Sequence, residues 1–270
     1  MQNSLKNMQK KVHFLFLPLV LILFSCKPLY VSDNKVDPNF HLYMLAGQSN
    51  MAGRGETDSL STPNNIRILM LNEEDEWSIA RDPLHFDKPE VAGVGPGLAF
   101  AQKMLAFEKN KDVKIGLIPC AVGGTSIDMW QPGKDAYEGQ YYPYDDAIKR
   151  LHVASQDGVI KGIIWHQGES DSNEEKAKEY IEKLQKLVAR FREETGNDSV
   201  PFVAGELGYY KENYKLINNE LKKLTDIVPL SAVATSEGLK HKGDGTHLDS
   251  ESARKLGERM AMEMYKLLYQ

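Results

Sequence analysis

Short apolar runs alternate with longer amphipathic runs along the chain from about residue 41 onward. Short runs that are rich in Ile, Val and Leu are typical of strands buried on both faces of a sheet. Five runs fit this description, and they cover residues 41–46, 114–121, 159–165, 201–204 and 230–235. They predict a five-stranded parallel sheet.

Helical patterns fill the intervals between these strands. The clearest is 177–191, where apolar residues recur at helical spacing and Gly196 follows as a stop signal. Alternating strands and helices predict one α/β domain whose sheet is covered by helices on both faces. Further helices are predicted at 97–107, 144–154, 215–227 and 253–268, and irregular excursions near the functional site at 54–90 and 131–143.

The first 25 residues have the features of a secretion signal. Three lysines among the first eleven residues precede the apolar run 12–24, which is too short to span a bilayer comfortably. The run leads into Leu-Phe-Ser-Cys, which resembles the lipobox of bacterial lipoproteins and predicts lipidation of Cys26; the alternative is an ordinary signal peptide. The predicted location is therefore a bacterial cell-envelope membrane, contacted through the lipidated N-terminus alone. The predicted divisions are a signal peptide at 1–25, a tether at 26–40 and a folded domain at 41–270.

Charge and cysteine content argue against several classes of protein. The chain has 38 acidic and 33 basic residues, a formal net charge of −5, and no basic run after the signal segment, which argues against a nucleic-acid partner. Of the two cysteines, Cys120 has no partner if Cys26 is lipidated, so no disulfide framework is expected. The histidines are dispersed, and neither a metal nor a cofactor is predicted.

Four short polar or glycine-rich clusters are associated with the ends of predicted strands. A serine in such a place, like Ser49, is by itself more often a helix cap than a nucleophile. In an open parallel sheet, however, ligands bind outside the carboxyl ends of the strands, so all four clusters are expected to meet at one edge. They occupy residues 47–50, 123–126, 166–170 and 244–247.

Together these clusters contain the groups needed for nucleophilic catalysis on an ester. A serine hydroxyl needs an adjacent base, and the base needs a carboxylate to orient it; Ser49, His247 and Asp244 can fill these roles. The oxyanion that forms on attack needs donors already in place. Three candidates are the backbone N–H of Ser49, a backbone N–H of the turn at 123–124 and the side-chain amide of Gln167.

Five ordered motifs resemble those of the sialate O-acetylesterase-like carbohydrate esterases, which belong to the SGNH hydrolase superfamily. The resemblance covers about residues 41–268. It implies a flavodoxin-like three-layer α/β/α sandwich, and removal of acetyl groups from sugar hydroxyls without a metal or cofactor. The motifs are Gly-Gln-Ser-Asn-Met at 47–51, Gly-Val-Gly-Pro-Gly at 93–97, Gly-Gly-Thr-Ser-Ile at 123–127, Trp-His-Gln-Gly-Glu at 165–169 and Asp-Gly-Thr-His-Leu at 244–248.

By position, the resemblance makes Ser49 the nucleophile, His247 the base and Asp244 its orienting partner. It makes Gly124 and Gln167 the further oxyanion donors, with Gly123 as the alternative to its neighbour. Other candidates for substrate contact are Gln48, Glu169 and Trp130. For Glu169 bracing of the loop is the alternative. The aromatic residues between 130 and 144 are candidates for a platform that contacts a sugar ring, with core packing or anchoring of the loop as the alternative.

The function predicted from the sequence is therefore an anchored O-acetylesterase that acts on acetylated carbohydrates through an acyl-serine intermediate. Sialic acid and plant cell-wall glycans are both candidate substrates. The alternatives are a non-catalytic glycan-binding lipoprotein and a hydrolase of lipids or thioesters.

Overall fold

The computed structural model describes residues 36–63 and 65–270. In this part of the chain a mixed sheet of seven strands forms the centre of the fold. The strand order is β3-β2-β4-β1-β5-β6-β7, and every neighbouring pair is parallel except β2 and β3. The central strand is therefore the first along the chain. The strands are β1 Asp37–Gly47, β2 Ile68–Leu71, β3 Trp77–Ile79, β4 Lys114–Pro119, β5 Gly158–His166, β6 Phe202–Gly205 and β7 Ser231–Ala234.

The prediction of a five-stranded parallel sheet is wrong in its number of strands and in its uniform direction. The five predicted strands are present as β1, β4, β5, β6 and β7. The additional hairpin of β2 and β3 comes from the stretch 54–90, which was expected to be irregular. Its strands have only four and three residues, too few for a periodic pattern, and β2 is placed by pairing Ile68 beside Ile115 of β4. Long-range pairing therefore decided this edge of the sheet.

Helices cover both faces of the sheet. Alternate residues of β1 point to opposite sides: Leu42 and Met44 pack with the helices at 143–154 and 174–195, whereas Tyr43 and Leu45 pack with those at 97–107 and 250–269. The result is a three-layer arrangement. The predicted helix at 215–227 is divided into two, Tyr214–Leu221 and Leu224–Ile227. The helices are α1 Ser49–Ala52, α2 Gly97–Phe107, α3 Pro143–Ala154, α4 Glu174–Thr195, α5 Tyr214–Leu221, α6 Leu224–Ile227 and α7 Ser250–Tyr269.

Local signals fix the ends of the longest helices. Asn173 caps α4, accepting a hydrogen bond from the N–H of Lys176 at 3.0 Å, and Gly196 ends the helix with a φ of 64°. Asp249 caps α7 in the same way through Ser252 N–H at 2.7 Å.

The predicted signal segment and Cys26 lie outside the described residues, and β1 begins at Asp37, within the stretch predicted as a tether. No helix in the described part of the chain is long and apolar enough to cross a membrane.

Candidate active site

The four polar clusters meet at one edge of the sheet, as expected from parallel strands. They line a single cleft with a volume of about 390 Å³. Ser49 enters it after β1, Gly124 after β4 and Glu169 after β5, while His247 reaches it from the loop between β7 and α7. Residues up to 198 positions apart are thereby brought into contact.

Ser49, His247 and Asp244 form a continuous chain of hydrogen bonds. Nε2 of His247 lies 3.1 Å from Oγ of Ser49, and Nδ1 lies 2.7 Å from Oδ2 of Asp244. Both distances suit a base that takes the serine proton while a carboxylate holds its ring. Asp244 and His247 can face each other across only three positions because the loop turns back on itself. Oδ1 of Asp244 accepts hydrogen bonds from the N–H groups of Thr246 and His247, at 2.9 and 2.8 Å.

The environment of Asp244 favours its ionised form. Partial burial is the largest single influence and opposes ionisation. The hydrogen bonds from the backbone and ring of His247 and from Thr246 N–H together outweigh it, and they hold the pKa of the Asp244 carboxyl well below its usual range. The carboxylate therefore stays charged over the pH range in which an imidazole titrates, and it can stabilise a histidinium that forms beside it.

The turn from β1 into the short helix α1 positions the serine. Gly47 has a φ of +136°, and a Cβ at this position would collide with the carbonyl of His166. Gln48 N–H donates to that same carbonyl at 2.9 Å. The backbone N–H of Ser49 has no acceptor within the described residues, so it remains available as an oxyanion donor.

The two glycines after β4 differ in their hydrogen bonds. Gly123 N–H donates to Oδ2 of Asp87 at 2.8 Å and is therefore engaged. Gly124 N–H has no acceptor in the described part of the chain, and Gly124 has a φ of +83° that favours glycine. The pattern leaves Gly124, rather than Gly123, free to donate into the cleft.

The side chain of Gln167 lies behind the cleft wall. It is completely buried, and its nitrogen lies 2.5 Å from Oδ2 of Asp171 and 3.1 Å from the carbonyl of Thr125. Gln48 is also buried against this amide, and its Oε1 accepts a hydrogen bond from the Gln167 nitrogen at 3.1 Å. In this arrangement Gln167 ties two loops together, and its placement does not support the prediction that it donates directly to an oxyanion.

The placement of Trp130 does not support the prediction that it contacts the substrate. Its side chain is completely buried, and its ring packs edge-on against Trp165 at 5.1 Å. Its Nε1–H donates to Oγ1 of Thr125 at 3.1 Å. A large indole gains more from this core position than from the surface, because its apolar area leaves water while its single donor is satisfied.

Asn50 is a site residue that the sequence reasoning did not single out. Its Nδ2 donates to Oε1 of Glu169 at 2.6 Å and to Thr246 O at 3.1 Å, and its Oδ1 accepts from Leu248 N–H at 2.9 Å. It therefore joins the loop of Ser49 to the loop of His247. Glu169 braces the site through this bond, which agrees with the structural alternative. The only sequence signal was the position of Asn50 inside the motif at 47–51.

A buried ion pair between Arg54 and Asp87 was also missed. Nη2 of Arg54 lies 2.7 Å from Oδ2 of Asp87, and the side chains are only 3% and 2% exposed. Both residues come from the stretch expected to be irregular. The described residues contain no group of three or more His, Cys, Asp or Glu side chains that could hold a metal ion.

The fold and the site define the chain as a three-layer α/β protein with a serine, histidine and aspartate aligned at the sheet edge. Residues 39–266 match the family described as carbohydrate esterase, sialic acid-specific acetylesterase. Because this match covers most of the chain, the protein belongs to that family of carbohydrate esterases.

Known relatives agree with this assignment. A probable carbohydrate esterase of Arabidopsis thaliana is 33% identical over 250 residues, which cover 85% of this chain and 91% of the relative. A solved structure of an Arabidopsis thaliana protein aligns with a TM-score of 0.77 at 29% identity, covering 86% of this chain and all of that one. A carbohydrate acetylesterase from Xanthomonas citri aligns with a TM-score of 0.65 at 20% identity, covering 84% of this chain and 56% of that one; this likeness concerns the fold alone.

Proposed function

We propose that the protein removes acetyl groups from carbohydrates through an acetyl-serine intermediate. The observation that carries the proposal is the alignment of His247 between the Ser49 hydroxyl and the Asp244 carboxylate, at 3.1 and 2.7 Å. The family and the Arabidopsis relative support carbohydrate ester hydrolysis as the class of reaction.

In the first half-reaction, Ser49 Oγ attacks the acetyl carbonyl carbon while Nε2 of His247 takes the hydroxyl proton. The carbonyl oxygen becomes an oxyanion, which accepts hydrogen bonds from the backbone N–H groups of Ser49 and Gly124. The bond between the acetyl carbonyl carbon and the sugar oxygen then breaks, and His247 gives the proton to the departing sugar oxygen. The free sugar hydroxyl leaves, and the acetyl group remains on Ser49.

In the second half-reaction, a water molecule attacks the acetyl-serine carbonyl while His247 takes one of its protons. The new oxyanion uses the same two donors. The bond to Oγ breaks, the proton passes from His247 to Ser49, and acetate leaves.

The charges of the cleft bear on the choice of substrate. Lys88 and Lys211 line it together with Ser49, and the carboxylate of its lining, Glu169, is engaged by Asn50 at 2.6 Å. Two ammonium groups favour a sugar that carries a carboxylate, because opposite charges attract in a partly enclosed site. Acetylated acidic sugars, such as sialic acid, are therefore proposed as better substrates than the neutral glycans of plant cell walls.

The test is acetate release from an aryl acetate, an acetylated sialic acid and an acetylated xylan by the wild type and Ser49→Ala. The variant should lose a factor of about 10⁴ or more in kcat, since the nucleophile is removed. Ser155→Ala, which changes a serine at the end of α3, serves as the matched control and should retain full activity. Wild-type turnover by Ser49→Ala would refute the mechanism. Glycan binding by the wild type without any acetate release would favour the non-catalytic alternative.

The pH profile of the wild type provides a second readout. Activity should fall in mild acid, because an imidazole must be neutral to accept the serine proton. A flat profile through this range would exclude His247 as the base.

A further inference from the structure

Side chains hold two successive peptide units at Gly123: the unit that joins it to Gly124, through its carbonyl, and the unit before it, through its N–H. The carbonyl of Gly123 accepts a hydrogen bond from the hydroxyl of Tyr137. The N–H of Gly123 donates to Oδ2 of Asp87 at 2.8 Å. Because the carbonyl and the next N–H of a trans peptide point in opposite directions, fixing the Gly123 carbonyl also fixes the direction of Gly124 N–H.

This peptide runs directly beside the nucleophile. A Cβ added to Gly123 would lie 3.4 Å from the Cβ of Ser49, and both glycines line the same cleft as Ser49. With its carbonyl directed to Tyr137 and the preceding N–H directed to Asp87, the unit has one polar group left without a partner in the described residues, the N–H of Gly124. That group is available to the cleft.

The two anchors are themselves fixed. Asp87 is paired with the buried Arg54, so its negative charge, which would otherwise repel an oxyanion, is compensated. Nζ of Lys88 donates to the hydroxyl oxygen of Tyr137 at 3.3 Å and lies 4.4 Å from its ring centroid. A cation that donates to this hydroxyl makes it a stronger donor to Gly123, which in turn polarises the Gly124 N–H.

We propose that Tyr137 and Asp87 are positioning residues that orient the Gly124 N–H toward the developing oxyanion. The inference rests on the acyl-serine reaction proposed above. It differs from the expectation that the aromatic segment forms a platform for a sugar ring, because the platform needs the ring of Tyr137, whereas orientation of the peptide needs its hydroxyl.

Tyr137→Phe separates these two roles, since it removes the hydroxyl and keeps the ring. We expect kcat for an aryl acetate to fall about tenfold, less than the factor of about 10²–10³ for removal of an oxyanion donor, with KM changed less than about twofold. The rate at which an aryl phosphonate labels Ser49 should fall in parallel, because its phosphoryl oxygen needs the same donors. Tyr142→Phe is the matched control: Tyr142 is 39% exposed against 38% for Tyr137, and within the described residues its hydroxyl makes no hydrogen bond. Its kinetics should equal those of the wild type.

The second anchor is tested by comparing Asp87→Asn with Asp87→Ala. Asparagine retains an oxygen that can accept from Gly123 N–H, whereas alanine does not. We therefore expect the asparagine variant to keep a kcat several-fold higher than that of the alanine variant. Asp75→Asn is the matched control. Asp75 pairs with Arg150 at 2.7 Å, so this variant also removes the charge of an aspartate in an ion pair, and it should leave kcat unchanged.

Two results would overturn the inference: an unchanged kcat in Tyr137→Phe, whether or not its KM rises, or an equal loss of kcat in both Asp87 variants. If Asp87→Ala does not fold, the two tyrosine variants still decide the matter. Failure of the proposed function is distinguished by Ser49→Ala. An inactive Ser49→Ala together with a fully active Tyr137→Phe refutes only the positioning role.

Discussion

The buried carboxyl of Asp82 should make the stability of the protein depend on pH in an unusual direction. Asp82 is only 5% exposed. Burial raises the pKa of its carboxyl from 3.8 to about 7, and Arg254 and the Gly95 N–H partly oppose this rise. Between about pH 4 and pH 7 the folded protein therefore holds a proton on Asp82 that the unfolded chain has lost. The free energy of unfolding contributed by this group falls as pH rises through that window, and it is constant above it.

The perturbation is Asp82→Asn, which keeps the shape of the side chain and is neutral at every pH. A difference of one unit between the folded and unfolded pKa changes the free energy of unfolding by about 1.4 kcal/mol. The rise from 3.8 to about 7 therefore changes it by at most about 4 kcal/mol. The variant should equal the wild type near pH 4 and should exceed its free energy of unfolding by up to about 4 kcal/mol at pH 8.

The assay is urea unfolding of both proteins at matched pH values from 4 to 8. Matched comparison is needed because the wild type also contains His85, whose pKa burial lowers from 6.5 to about 4. That group has the opposite sign: its contribution is lost as pH falls from about 6.5 toward 4, equally in both proteins. Asp112→Asn, which changes an exposed aspartate, controls for the loss of one acid. A difference between Asp82→Asn and the wild type that does not grow with pH would refute the reasoning.

Two further predictions concern residues whose roles were decided by the structure. Asn50→Ala should lower the free energy of unfolding by about 2–3 kcal/mol and also lower kcat, because it removes hydrogen bonds to Glu169, Thr246 and Leu248; full kcat in the folded variant would contradict its role in joining the loops. Trp130→Phe should lower the free energy of unfolding by about 1–3 kcal/mol, since the bond to Thr125 is lost, and should leave KM unchanged. A raised KM with wild-type stability would instead restore Trp130 as a substrate contact.

The hydrophobic pattern was sufficient to predict the central part of the fold. The runs that became β1, β4, β5, β6 and β7 are long enough to identify, and the helices between them require parallel connections. The hairpin of β2 and β3 was not predictable in this way. Its short strands exist because β4 offers β2 an unpaired edge, and that edge is a property of the assembled sheet.

The candidate site was likewise predictable only in part. Parallel strands place their carboxyl ends at one edge, so the meeting of Ser49 with Asp244 and His247 followed from their positions along the chain. The directions of the neighbouring side chains could not be predicted from those positions. Gln167 turns inward because its amide nitrogen finds an acceptor in the buried carboxyl of Asp171.

The sequence by itself determined which residues reach the candidate site, since the positions of the strands along the chain and the hydrophobic period can be identified in the sequence. Only the tertiary structure decided how these residues are supported. The bond between Asn50 and Glu169 spans 119 positions, and the pair of Arg54 with Asp87 spans 33. Such contacts depend on rotamers and burial in the packed protein, where an unpaired polar group costs more than any local preference of the chain.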